Sequence, residues 1–160
     1  MSAAERAVRV LPAPTSFAEL YRAEAVGQVR RAALLVGSAE LANDLVHDAF
    51  VELYRRWEDI DRPGPYLNRA VLNRCRDAGR RQRRHVRLLP RLVAVDGEPW
   101  EPDSIAPMLA ELPFNQRASI VLRFYVGMSN VEIAQTLRCP PGSVGPWIDR
   151  ALKQLRKALS

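Results

Sequence analysis

Apolar side chains recur along this chain at three- and four-residue intervals, broken by capping residues, prolines and one acidic stretch. Phe17, Leu20, Tyr21, Val29, Ala32, Ala33 and Val36 form a stripe with helical period. Ser16 followed by Glu19 predicts a capping box at the start of that helix, and Gly37 predicts its end. Ser38 caps a second predicted helix, whose stripe is Leu41, Leu45, Ala49, Phe50, Leu53 and Trp57. Glu58 to Pro65 reads as a polar loop with two prolines. A third helix then turns Tyr66, Leu67, Ala70, Val71 and Ala78 inward. No period survives from Val93 to Pro107, which holds three prolines and predicts an extended linker. Helical patterning resumes at Met108.

From Ser129 to Leu159 two helices are predicted around a tight corner. Ser129 and Glu132 form a capping box ahead of Ile133, Ala134 and Leu137. Cys139-Pro140-Pro141-Gly142 ends that helix, because proline has no amide and drives its predecessor out of the helical region. Val144, Ile148, Ala151, Leu152 and Leu155 line the inner side of the next. No strand alternation occurs anywhere, so the fold class is all-α. The chain is expected to hold a tail at 1–15, a helical lobe at 16–91, an acidic linker at 92–106 and a second lobe at 107–160.

Charge sharpens this division. The net charge of +6 points to an anionic partner. Nine arginines lie between Arg69 and Arg91, opposed only by Asp77, whereas the linker holds Asp96, Glu98, Glu101 and Asp103. The arginine run taken alone also fits RNA or a membrane surface, but it lacks the apolar anchors of a membrane helix. In the second lobe Arg150, Lys153, Arg156 and Lys157 follow the corner. That is the helix-turn-helix layout, which places a helix in a DNA major groove. A plain helical hairpin with a solvated basic face is the alternative.

No apolar run of about 20 residues is present, which excludes a membrane-spanning helix. Residues 1–16 lack the apolar core of a secretory signal. Cys75 and Cys139 stand apart, with neither disulfide framework nor zinc spacing. A cytoplasmic protein with no cofactor and no metal is expected.

Asp44, His47, Asp48 and Glu52 fall at helical spacing on the face opposite the second stripe. From the residues alone they read as a solvated face or as a metal site on Asp44, His47 and Asp48. The metal reading, a metal-dependent hydrolase, lacks further ligands nearby.

Three segments carry a resemblance in fixed order. They are NDLVHDAFVELYRRW (Asn43 to Trp57), PYLNRAVLNRCRDAGRRQRR (Pro65 to Arg84) and LAELPFNQRASIVLRFYVGMSNVEIAQTL (Leu109 to Leu137). Over about residues 16–158 the chain resembles the extracytoplasmic-function (ECF) branch of bacterial sigma factors, promoter-recognition subunits of RNA polymerase. The resemblance implies a region 2-like lobe at 16–91 that binds core polymerase and melts the −10 element. It also implies a region 4-like helix-turn-helix lobe at 107–160 for the −35 element. The function implied is non-enzymatic: core RNA polymerase and promoter DNA are the partners, with a separate anti-sigma protein as regulator.

In that family the helix matching Asn43 to Trp57 docks on the polymerase clamp, which assigns Asp44, His47, Asp48 and Glu52 to docking. Asn73 is assigned to the melted region, with Arg76, Arg80, Arg81, Arg83 and Arg84 on the backbone. Trp57 serves either as a stacking surface or as a core anchor, and Tyr66 shares the ambiguity. The linker is implied to run toward the RNA exit path.

The recognition helix departs from the family pattern. Gly145, Pro146 and Trp147 stand where small basic or hydroxyl residues are usual, and Pro140 replaces a hydroxyl cap. The helix is expected to start near Gly145. Arg150, Lys153 and Lys157 keep a phosphate grip, which sets register and not sequence. Ser143 and Trp147 are left to meet bases, unless Trp147 packs on another protein. The alternative function is therefore a sigma-like regulator whose −35 recognition is altered or partner-dependent.

Overall fold

The computed structural model describes residues 16–82 and 105–160, and these divide into two compact units. Every regular element among them is helical. The expectations for the tail, most of the linker, Arg83 and Arg84 lie outside the described residues, as does the side chain of Arg81.

The first unit is a bundle of α1 (Phe17–Val36), α2 (Ala39–Arg55) and α3 (Pro63–Gln82), each packed on the other two. The Ser16 hydroxyl accepts from the Glu19 amide at 3.2 Å, and Gly37 closes α1 in the left-handed region at φ 76°. One residue later the Ser38 hydroxyl accepts from the Leu41 amide at 3.1 Å. Stop and start thus abut, which folds α2 back along α1. Ala32, Ala39, Ala42 and Ala49 are fully buried, so the backbones meet across small side chains.

Ala49, Phe50 and Leu53 of the predicted α2 stripe are buried, but its first half lies one residue off. Ala42 and Val46 are buried, and Leu41 and Leu45 are half-buried. Tyr21, predicted inward, is 47% exposed, although its ring lies 4.9 Å from that of Phe50. Phe17 gathers an aromatic cluster, with Tyr54 at 5.1 Å and Trp57 edge-on at 5.8 Å. That contact makes Trp57 an anchor at the end of α2.

Two polar residues modify this core. Gln28 is buried on α1, and its amide nitrogen donates to Asn68 Oδ1 of α3 at 2.6 Å. Without that partner the buried amide would be costly. Cys75 is buried on α3, and loss of hydration pushes its thiol pKa up from 9.0 to about 12.

The predicted loop is shorter than its sequence suggested. Trp57–Asp59 form a 3-10 turn and α3 already begins at Pro63. Both prolines sit in its first turn, where no backbone donor is required.

The second unit holds α4 (Ala106–Ala110), α5 (Phe114–Val121), α6 (Asn130–Leu137) and α7 (Val144–Leu159). Helix begins at Ala106, ahead of the expected Met108, with Pro107 in its first turn. Arg117 of α5 donates to the carbonyls of Leu109 and Leu112, each at 2.8 Å, and so satisfies the open end of α4. After α5 the helix widens into a π turn, Leu122–Val126, ended by Gly127 at φ 85°. The predicted capping box of α6 is complete: the Glu132 amide donates to Ser129 Oγ, and the Ser129 amide to Glu132 Oε1. Arg138 ends α6 at φ 54°, the single non-glycine residue in the left-handed region among those described. A 3-10 turn, Pro141–Ser143, leads directly into α7.

Candidate docking and nucleic-acid interfaces

The α2 face opposite the core carries Asp44, His47 and Asp48, all exposed. Glu52 diverges from this group. It is half-buried and turns toward α3, where its carboxylate lies 3.6 Å from the Arg74 guanidinium. A shared bundle core therefore draws one member of the predicted quartet into an intramolecular ion pair. Arg55, also exposed on this helix, falls on the same face by helical spacing and was not among the predicted residues. Beside the face a shallow groove between α1 and α2 is lined by Tyr21, Val29, Asn43, Asp44, His47 and Phe50. Among the described residues no group of three or more His, Cys, Asp or Glu side chains is arranged to hold a metal ion.

Leu67, Val71, Leu72 and Cys75 form the buried side of α3. Asn73 is exposed opposite them and Arg80 lies two turns on, also exposed; Arg76, between them, is half-buried. Asn73, Arg76 and Arg80 thus form one outward row at helical spacing. At the head of the helix the Arg56 guanidinium donates to the Tyr66 hydroxyl at 3.2 Å and lies 5.6 Å from its ring centroid. Tyr66 is thereby tied to the turn that precedes α3.

Val144, Ile148, Ala151 and Leu155 are the buried side of α7. Pro146, Arg150, Lys153 and Lys157 are exposed on the other side. The helix starts at Val144, one residue from the expected Gly145, and Pro146 is in its first turn, where its missing amide costs nothing. Ser143 is half-buried, has helical backbone angles and makes no capping bond through its side chain. Trp147 is half-buried at the edge of the interior. Asp149, which was not among the predicted residues, is exposed beside Arg150.

Comparison with known proteins matches both units. A sigma-70 region 2 family model matches residues 18–85, and a sigma-70 region 4 model matches residues 103–155. The RNA polymerase sigma-E factor of Streptomyces coelicolor is 30% identical over 151 residues, covering 89% of this chain and 85% of that protein. The ECF RNA polymerase sigma factor SigE of Mycolicibacterium smegmatis is 32% identical over 160 residues, covering 91% of this chain and 62% of that protein.

Among solved structures, CnrH in complex with the cytosolic domain of CnrY has a TM-score of 0.66 at 26% identity, covering 98% of this chain and 94% of that one. The sigma factor RpoE of Bartonella quintana, in complex with the anti-sigma factor NepR, has a TM-score of 0.68 at 19% identity, covering 88% and 96%. The second likeness is one of fold alone. Two matched regions in order and a relative aligned over most of both lengths establish that the chain belongs to the ECF branch of the sigma-70 family of RNA polymerase sigma factors.

Proposed function

We propose that this chain joins core RNA polymerase through the exposed face of α2, opens promoter DNA along the outward row of α3, and holds the upstream element with α7. The observation that carries this reading is the separation of two chemistries on one small bundle. Acidic Asp44 and Asp48 face outward on α2, whereas Asn73 and Arg80 face outward on α3. One lobe can then bind a protein and a nucleic acid at once.

Melting by such a lobe rests on binding alone, without catalysis. Extruding a base costs a few kcal/mol, which arginines on the single-strand backbone and a captured base offset. The setting is the cytoplasm, where polymerase and chromosome meet. CnrH and the Bartonella factor were each solved with a second protein, NepR being an anti-sigma factor; this supports a separate anti-sigma protein as regulator here.

Exchanging both Asp44 and Asp48 for arginine tests the docking face. The doubly substituted chain is expected to lose core polymerase in a pull-down while keeping its helical circular dichroism. Unchanged affinity would remove the docking assignment.

A second reading has one observation in its favour: the first turn of α7 carries Gly145 and Pro146, which offer no side-chain donor. On that reading upstream recognition depends on a partner. A sharp motif of several bases, selected by holoenzyme alone from a randomised promoter library, would exclude it.

A further inference from the structure

The exposed side of α7 carries four cations and a single carboxylate, Asp149. Opposite the buried row of Val144, Ile148, Ala151 and Leu155, helical spacing aligns Pro146, Lys153 and Lys157, with Asp149 and Arg150 on the flanks. Asp149 is the first exposed side chain of the helix that carries a polar atom. Lys153, one turn further on, is suitably spaced for an ion pair with it, yet no ion pair engages Asp149 among the described residues. A free carboxylate therefore stands among the cations that would face phosphate.

Such a carboxylate weakens nonspecific DNA binding by repulsion unless the groove supplies a donor. The major groove has two: the N4 amino group of cytosine and the N6 amino group of adenine. Adenine sets its N7 acceptor beside N6, which repels a carboxylate. Thymine and guanine themselves present only acceptors at hydrogen-bonding positions there. Recognition helices reach base edges with their N-terminal turns, and Asp149 lies in the second turn, after Gly145 and Pro146, which have nothing to offer.

We propose that Asp149 is a base-reading residue of α7: its carboxylate accepts a hydrogen bond from cytosine N4 and so favours a C·G pair at one position of the upstream element. This rests on the reading of α7 as a major-groove helix. The side chain acts mainly by exclusion, since three of the four bases meet it with an acceptor.

The test uses the full chain assembled with core polymerase, transcribing a library randomised across the upstream element. Wild-type holoenzyme should enrich cytosine at one position. D149A should flatten that position alone, with about a ten-fold loss of discrimination, and should bind random duplex more tightly. D149N should move the preference toward adenine, because a carboxamide can bond both N6 and N7. If D149A and wild type select the same bases, the proposal is overturned while major-groove docking stands. If the wild-type holoenzyme initiates from the library but enriches no upstream sequence, base reading by α7 falls, and the proposal with it.

Discussion

Single residues decide where this core departs from a simple apolar stripe. Gln28 is 3% exposed and satisfied by Asn68. Gln28→Ala removes that bond and leaves a small void. Chemical denaturation should report a loss of about 1–3 kcal/mol. Replacing both Gln28 and Asn68 with leucine should recover most of it, since no polar group is then left alone.

Cys75 links stability to pH. Its folded thiol holds its proton to about 12, against 9.0 for an ordinary thiol. Its contribution is therefore full below pH 9.0 and is lost as pH rises toward 12. Denaturation midpoints should fall across that window, less steeply in Cys75→Ala. Neither residue was legible as special from sequence: a glutamine between apolar positions looks like a solvated edge, and a lone cysteine looks inert. What marks them is a neighbour from another helix, and pattern along one helix does not contain it.

At the level of elements, ends were easier to read than interiors. Ser16, Gly37, Ser38 and Ser129 mark termini through bonds made within three or four residues, so local sequence suffices to place them. Ser129→Ala should lower stability by about 1 kcal/mol, read from thermal unfolding. The reciprocal bond from the Ser129 amide to Glu132 would be weakened with it.

Prolines misled in the opposite direction. Pro63 and Pro65 suggest a delayed helix, yet both occupy a first turn whose amides need no partner. In the first half of α2 the buried row is Ala42 and Val46, one residue from the predicted Leu41 and Leu45, because alanine marks a close helix crossing as readily as an indifferent surface. The π turn at Leu122–Val126 has no local signature, and only Gly127 hints at where it closes. Of the candidate positions, the outward placement of Asp44, Asp48, Arg80 and Lys153 followed from period, whereas Asn73 was singled out by the family resemblance. The diversion of Glu52 to Arg74 depends on how α2 lies against α3.

For the whole molecule, the useful distinction is between steps of initiation. If Asn73 holds unpaired DNA, Asn73→Ala should depress transcription from duplex promoters by about five- to ten-fold, the worth of roughly one hydrogen bond. Templates with a pre-opened bubble should lose much less. Equal loss on both would assign Asn73 to folding. The fold class and the division into two helical units were readable because each unit has its own period, caps and core.

Arg138 has a further consequence. It terminates α6 at φ 54°, with its own amide and that of Cys139 both donating to the Ala134 carbonyl. Glycine would adopt that conformation without a Cβ penalty. Arg138→Gly should therefore raise the midpoint of thermal unfolding, by up to about 1 kcal/mol in stability. A chain that keeps an arginine at such a corner has not been driven to its most robust form, and it leaves headroom that an engineer could use without touching either helix.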